Sequence, residues 1–220
     1  MAARRLDPGV LRLVLITDGM GDPRRLEAIV EAAVAGGVRC VQVREPKWSA
    51  RAIMLACERL APVLEAARGI LLVNDRLDVA AARGAHGAQI GHRSLPPELA
   101  RLVVGPDAPL GFSAHDLEEL DLAAAGDCDF ALLSPVWPTT SKPGAPHLGE
   151  VLAAQLTARA QLPVVWLGGI DAERTRQLAA IPVAGRPVGV AVRSAIMAAQ
   201  DPLAAAEELL AAWPGPIRPA

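Results

Sequence analysis

Apolar and polar positions follow one repeating order along the chain: a short strand-like run, then a longer segment with helical spacing. The first strand-like run is RLVLIT, residues 12–17, and a helical segment follows over residues 23–37. In that segment Leu26, Ile29 and Val30 recur at the spacing of one helix face. The same order recurs along the rest of the chain, which predicts eight strands, each followed by a helix.

The other seven strand signals are short apolar runs, at residues 40–44, 69–75, 87–91, 109–113, 129–135, 162–170 and 187–192. The helical segments that follow them lie at about 49–67, 78–83, 96–103, 116–126, 149–160, 172–180 and 202–212. Runs such as ILLV and PVVWL are apolar on both faces, which is typical of a parallel sheet covered by helices. Eight such units predict an α/β fold, a single (β/α)8 TIM barrel over residues 1–220 with a core of about 11–213. A doubly wound open sheet is the alternative, although it usually has fewer strands.

Composition allows a buried core and limits the choice of partners. Hydrophobic residues make up 52% of the chain and charged residues 21%, which fits a packed domain and argues against disorder. The formal net charge of -2 argues against a general affinity for nucleic acid, which usually needs a basic face. We therefore expect no nucleic-acid partner, and a local basic pocket for a small anion remains open.

Cysteine use and the lack of long apolar runs indicate a cytoplasmic protein. Cys40, Cys57 and Cys128 are odd in number and widely spaced, which favours free thiols over disulfides or a metal site. No secretion signal is visible at the start, and no run reaches the roughly 18 apolar residues of a membrane helix. We expect no membrane contact, and the sequence leaves a homodimer open.

Polar residues concentrate just after the predicted strands. They are, in chain order, Thr17-Asp18, Gln42 and Arg44, Asn74-Asp75-Arg76, Gly91-His92-Arg93-Ser94, Ser113-Ala114-His115, Ser134 with the loop to Lys142, Gly168-Gly169, and Arg193-Ser194. In a TIM barrel these positions meet at the C-terminal face, where active sites lie. The pattern therefore predicts one polar site at the mouth of the barrel.

The corners after the seventh and eighth strands predict a phosphate site. Gly168 and Gly169 let the backbone approach an oxyanion, and the segment from Ser194 can start a short helix whose N–H groups face it. TIM barrels commonly bind phosphate at these two corners. A plain chain turn at the glycines is the alternative.

Two further segments offer anion-binding groups. The loop PTTSKPG, residues 138–144, contains three hydroxyl side chains and Lys142, and its glycine and prolines would let it close as a lid. A solvated turn is the alternative for this loop. Gln42 and Arg44 lie on one face of a strand, because alternate residues point the same way. An internal salt bridge of Arg44 with Glu45 or Asp75 is as compatible with the spacing as anion binding.

Acid–base chemistry has one leading candidate, His115. An imidazole titrates near neutrality and can give or take a proton; capping of the next helix is the competing role. Asp75 is a single carboxylate, which fits a pair with an arginine as well as a Mg²⁺ site. The other histidines lack the spacing of a zinc site.

Taken in order, these segments resemble the thiamin phosphate synthase/TenI family. The matching stretches run from about residue 12 to 197: VLITD, GGVRCVQVRE, LLVNDRLDVAAARGAHGAQIG, GFSAH, SPVWPTTSKPG, LPVVWLGGI and VGVAVRSAI. Each motif alone is weak, but the ordered set is specific. The resemblance implies a (β/α)8 barrel that acts in thiamin biosynthesis.

The family holds two related activities. Its synthases join hydroxymethylpyrimidine pyrophosphate to a thiazole phosphate, with Mg²⁺ on the pyrophosphate. Its TenI type shifts a proton to make a thiazole carboxylate phosphate aromatic and uses a histidine that matches His115. The resemblance implies that the thiazole phosphate is surrounded by Gly168, Gly169, Arg193 and Ser194. It also implies that Gln42, Arg44, Asn74 and Lys142 line the pocket, with Thr139 and Ser141 nearby. The strand-end residues Asp75 and Ser113 complete the predicted pocket.

Ser94 departs from the synthase pattern. Synthases usually carry an aspartate at this position, and that aspartate and the one matching Asp75 hold Mg²⁺. A serine hydroxyl cannot supply the negative charge that favours the ion. The lysine of the family's REK motif is also displaced here, to Lys47.

Our leading hypothesis from the sequence is therefore a metal-independent thiazole tautomerase without a cofactor, with His115 as the acid–base residue and Arg44 on the substrate carboxylate. The close alternative is a thiamin phosphate synthase that binds Mg²⁺ through Asp75 and water. A second alternative is a non-catalytic protein that binds thiazole phosphate or thiamin phosphate.

Overall fold

Eight parallel strands close into a barrel in chain order, and the eighth strand pairs with the first. The computed structural model describes residues 6–18, 21–82, 84–139, 144 and 146–213. The strands are β1 Leu13–Ile16, β2 Cys40–Val43, β3 Ile70–Asn74, β4 Gly87–Ile90, β5 Leu110–Ala114, β6 Phe130–Leu133, β7 Val164–Leu167 and β8 Gly189–Val192. The TIM barrel predicted from the sequence is thus confirmed.

Helices follow the strands and pack against their outer faces. Within the described residues they are α1 Pro23–Ala35, α2 Ala50–Ala66, α3 Leu77–Ala81, α4 Pro97–Val104, α5 Leu117–Ala125, α6 Glu150–Arg159, α7 Ala172–Gln177, α8 Ser194–Met197 and α9 Pro202–Ala212. Helix α7 is shorter than predicted and continues as a 3-10 turn, Leu178–Ala180. Ile181 then adopts an extended conformation, which is the conformation that a following proline, Pro182, imposes.

Alternating side chains divide the core into two layers. One cluster, which includes Leu15, Val41 and Leu133, lies between strands and helices. The other fills the barrel and includes Val14, Phe130, Leu132, Val165 and Ala191. Because strand residues alternate between these layers, the inward-facing residues at the strand ends face the barrel mouth.

The N-terminal end of the barrel is filled by the segment before β1. Leu6, which precedes the 3-10 turn Pro8–Leu11, and Leu11, which ends it, pack in the same cluster as the inward-facing residues of the strands. Asp7 caps this turn by accepting a hydrogen bond from the peptide N–H of Gly9. The open end of the barrel is therefore the C-terminal face.

The cysteines are free and buried, and burial raises the pKa of each thiol. For Cys57 and Cys128 it raises the pKa to about 12. Among the described helices, none combines the length and the apolar character needed to cross a bilayer.

Candidate active site

A cavity of about 250 Å³ opens at the C-terminal face of the barrel. Residues from the corners after most strands line it, as a barrel mouth requires. Eight of the side chains or glycines predicted from the sequence lie in its wall: Arg44, Asn74, Asp75, Ser113, His115, Thr139, Gly168 and Arg193. The fold thus brings together residues that are far apart in the chain.

Asp75 is held by hydrogen bonds on both carboxylate oxygens. Asn74 donates from Nδ2 to Oδ2 at 2.7 Å, and Ser94 donates from Oγ to Oδ1. The hydroxyl of Ser94 also accepts a hydrogen bond of 3.0 Å from the peptide N–H of Gly91. Asp75 itself has a φ of 59°, in the left-handed region that few non-glycine residues adopt. Such a conformation is kept where the surroundings fix it, which is common at functional sites.

A belt of buried polar side chains lies below the cavity. Gln42 is 2% exposed and donates from Nε2 to Oδ1 of Asn74 at 2.8 Å. Gln89 is 1% exposed and donates from Nε2 to Oγ of Ser113 at 3.1 Å. The predicted pocket residue Gln42 therefore supports the wall from beneath and orients Asn74, which in turn holds Asp75.

His115 follows β5 and has a carboxylate beside it. Its Nδ1 lies 2.8 Å from Oε2 of Glu119, and its peptide N–H donates to the same oxygen at 2.6 Å. The ring of His92 stands edge-on to that of His115, with centroids 6.2 Å apart. Both histidines line the cavity, so two imidazoles are available at its wall.

Positive side chains dominate the cavity wall. Arg44, Arg93 and Arg193 line it, and Asp75 is the one carboxylate among its described lining residues. The chain as a whole has a formal net charge of -2, so this positive charge is local. A cavity of this kind attracts an anionic ligand, because guanidinium groups match the geometry of phosphate and carboxylate oxygens.

The glycines after β7 pack tightly against the loop after β6. Both have positive φ values, 102° for Gly168 and 66° for Gly169. A Cβ on Gly169 would lie 2.5 Å from the carbonyl oxygen of Pro138 and 2.8 Å from Cβ of Trp137. Arg174 donates to the carbonyl oxygen of Gly169 and covers the ring of Trp137 at 5.6 Å. The contact couples the two loops.

The remaining predicted residues are placed as follows. Ser194 begins α8, immediately after Arg193. Ser141 and Lys142, which were predicted to bind an anion, lie outside the described residues. An ion pair with an arginine, such as Arg44, was the alternative role for Asp75. The carboxylate is hydrogen-bonded to Asn74 and Ser94 instead.

Several lining residues were not among the pocket residues named from the sequence. His92, Arg93 and Ser94 were noted at the fourth corner but not included in the pocket, and Ile16 and Leu167 add apolar surface. The Glu119 contact was also missed. Its signal was an aspartate followed three residues later by a glutamate, Asp116 and Glu119, a pattern in which the glutamate folds back toward the start of the helix.

Metal binding at this site depends on one carboxylate. The described residues contain no group of three or more histidine, cysteine, aspartate or glutamate side chains arranged for a metal ion. Asp75 nevertheless keeps unused lone pairs, because a carboxylate can accept about four hydrogen bonds. Mg²⁺ sites often use one or two carboxylates and complete the shell with substrate phosphate and water. The donor set therefore fits Mg²⁺ only together with a phosphate-bearing ligand.

A protein-family model matches most of the chain. Residues 13–196 match the model described as thiamine monophosphate synthase. Among curated relatives, the thiamine-phosphate synthase of Mycobacterium tuberculosis is 41% identical over 212 residues, covering 91% of this chain and 94% of that protein. The thiamine-phosphate synthase of Laribacter hongkongensis is 38% identical over 200 residues, covering 90% and 92%.

A solved structure shows the same arrangement. Thiamine phosphate pyrophosphorylase from Pyrococcus furiosus superposes with a TM-score of 0.82 at 30% identity, covering 93% of this chain and 96% of that one. The relatives are named as synthases, which agrees better with the second of the hypotheses from the sequence than with the first.

Proposed function

The chain belongs to the thiamine monophosphate synthase family, and on this basis we propose that it is a thiamine-phosphate synthase. In this reaction the pyrimidine methylene carbon forms a bond to the thiazole nitrogen, and pyrophosphate leaves. The observation that carries the proposal is the 41% identity to a protein of that name over 91% of the chain. The tautomerase predicted first from the sequence becomes the second candidate.

The charges of the cavity support a reaction between two phosphate-bearing molecules. Gly168, Gly169, Arg193 and Ser194 would take the thiazole phosphate at the corners after β7 and β8, the common phosphate position of TIM barrels. Arg44 and Arg93, also in the cavity wall, would bind the pyrophosphate as it accumulates negative charge on leaving. Thr139 also lines the cavity, and Ser141 and Lys142 of the same loop would add further contacts.

Mg²⁺ would be held by Asp75 and the substrate pyrophosphate. When bound, the ion would neutralise charge on the leaving group. Asn74 and Ser94 orient the carboxylate, and Gln42 orients Asn74, so Asp75 is held as a fixed negative group in the cavity wall. We expect weak binding of the free ion, because a single carboxylate supplies little charge.

The test is synthesis of thiamine phosphate from the two substrates, with and without Mg²⁺. We expect product with Mg²⁺ and loss of product with a chelator. Asp75→Asn should lower the rate at least about 10-fold, since it removes the one carboxylate among the described lining residues. Asp78→Asn is the matched control, because Asp78 lies nearby in α3 and pairs with Arg76 at the surface. No product under either condition would refute the proposal.

A second candidate, thiazole tautomerase, is favoured by the hydrogen bond between Ser94 and Asp75. That bond occupies the place where a second metal-binding carboxylate would stand. His115 would remove a proton from one ring position of the thiazole carboxylate phosphate and return it to another, leaving an aromatic ring. Arg44 would hold the substrate carboxylate, and neither metal nor pyrophosphate takes part.

Ring absorbance of the unaromatised thiazole phosphate distinguishes this candidate. A tautomerase should turn over equally with Mg²⁺ and with chelator, and His115→Ala should reduce the rate to that of buffer. His147→Ala is a matched control, since it removes a histidine that does not line the cavity. Tight binding of thiazole phosphate by calorimetry without turnover in either assay would instead indicate a binding protein.

A further inference from the structure

Glu119 makes two hydrogen bonds to His115 through one oxygen. Oε2 accepts the peptide N–H of His115 at 2.6 Å and lies 2.8 Å from its Nδ1. The side chain of His115 is 37% exposed and that of Glu119 is 25% exposed, so water screens the contact only in part. The contact therefore links a cavity-lining imidazole to the first turn of α5.

The start of α5 fixes Glu119 in this place. Asp116 is the N-cap residue, and its Oδ1 accepts the peptide N–H of Glu119 at 2.9 Å. Glu119 thus lies in the first turn, where the partial positive charge of the helix favours a carboxylate. Its side chain folds back to the peptide N–H of His115, one residue before the N-cap, whereas the glutamate of a capping box binds the N–H of the N-cap residue itself.

We propose that Glu119 is a positioning residue that holds His115 in the tautomer with its proton on Nδ1. An ionised carboxylate can only accept hydrogen bonds, so the imidazole nitrogen facing it donates. Nε2 is then the nitrogen that can accept a proton from a ligand. In neutral imidazole the hydrogen bond of one nitrogen determines the chemistry of the other. The tautomer assigned to His115 does not depend on which reaction the protein catalyses. Its use in catalysis rests on the proposed tautomerase activity.

Capping alone does not account for the geometry. A cap requires an acceptor for the peptide N–H of His115, and an amide oxygen at position 119 would serve. The ring contact at 2.8 Å brings the negative charge to Nδ1 as well. The neighbouring Glu118 is exposed in the same turn and makes a control with the same charge and helix position.

Long-range proton–nitrogen NMR of the histidine rings, at mildly alkaline pH, tests the proposal. The signal that is absent in His115→Asn identifies His115. We expect its Nδ1 to carry the proton in the unaltered protein and in Glu118→Ala. In Glu119→Ala we expect the proton to move to Nε2, the site that a histidine side chain prefers in water. Glu119→Gln keeps an acceptor for the peptide N–H, so it should preserve the melting temperature while weakening the tautomer preference.

Activity adds a second readout. If the tautomerase assay gives turnover, Glu119→Ala should lower kcat about 10- to 100-fold with little change in KM, because a group behind the reacting residue is lost. A His115 proton on Nε2 in the unaltered protein, or one that stays on Nδ1 in Glu119→Ala, overturns the proposal. A tautomer that responds to Glu119→Ala without turnover supports the positioning role and refutes the tautomerase.

Discussion

Ser94 donates a hydrogen bond to Asp75 across the gap between the ends of β4 and β3. The peptide N–H of Gly91 fixes the Ser94 hydroxyl from the other side, and Asn74 binds the second oxygen of Asp75. A neutral donor therefore stands where the resemblance to synthases leads one to expect a second carboxylate. Because this donor is neutral, it adds no negative charge that would increase the affinity of Asp75 for a divalent ion.

Ser94→Asp should increase affinity for Mg²⁺. Two adjacent carboxylates attract the ion more strongly than one, and without it they repel each other. We expect binding at least about 10-fold tighter by calorimetry and a lower melting temperature in chelator. Ser94→Ala is the control, since it removes the hydrogen bond without adding charge. Equal Mg²⁺ affinities for the two variants would contradict this prediction.

Gly169→Ala should destabilise the protein and weaken phosphate binding. The added Cβ meets the carbonyl oxygen of Pro138 at 2.5 Å and forces the loops after β6 and β7 apart. Gly144→Ala is the matched control, because its φ of 73° is close to the 66° of Gly169 but no atom lies within 4 Å of the added Cβ. We expect Gly169→Ala to lose about 1–3 kcal/mol more than the control in urea unfolding. Similar losses would show that the two loops separate without cost.

Arg101 should stabilise the folded state by several kcal/mol. Its guanidinium is 9% exposed, pairs with Asp129 at 2.8 Å and donates to the carbonyl oxygens of Gly105, Ala108 and Asp127. Arg101→Met leaves the buried Asp129 without this cation, so we expect a loss of about 3–5 kcal/mol in chemical unfolding.

The control for Arg101 is Arg176→Met, which breaks an exposed pair with Glu173. That change should alter stability by about 0.5 kcal/mol or less. If Arg101→Met lowered the free energy of unfolding as little as Arg176→Met does, the folded state would not depend on the Arg101 guanidinium.

Stability should decrease in alkaline solution because of the buried thiols. Burial raises the pKa of Cys57 and Cys128 to about 12, whereas in the unfolded chain a thiol titrates near 8.5. Above that pH the unfolded state loses protons that the folded state keeps, so the thiols' contribution is full below pH 8.5 and falls as the pH rises. Each thiol should cost about 2 kcal/mol at pH 10.

Unfolding by urea at several pH values, with a reducing agent, measures this decrease. In Cys57→Ala, the free energy of unfolding should fall by about 2 kcal/mol less between neutral pH and pH 10, which is the contribution of one thiol. The chain has no tyrosine, so no phenol titrates in the same range. A slope that is unchanged in Cys57→Ala would show that other groups cause the decline.

The barrel and the position of its mouth could be predicted from the sequence because both depend on local patterns. Strands such as Val164–Leu167 are apolar on both faces, and polar residues follow each strand end. Arg44, Asp75 and His115 were therefore placed correctly at one face. Family resemblance also led to the right family, although the relatives agree better with the synthase than with the tautomerase.

Contacts between side chains were harder to predict. The bonds of Ser94 to Asp75 and of Gln42 to Asn74 join residues 19 and 32 positions apart, and no local pattern gives their distance. Arg101 lies on an amphipathic helix, where an arginine usually indicates a solvated face, yet it binds loop carbonyls at the other end of the barrel. Such partners follow from the closed barrel and not from spacing along the chain.

The segment before β1 gives the barrel the form of a cup. In the part of the chain that the structure describes, Leu6 and Leu11 fill its base together with the inner strand residues. A ligand in the cavity must then leave by the path through which it entered. For a reaction that joins two molecules, the joined product has to depart through this mouth before the next cycle can begin.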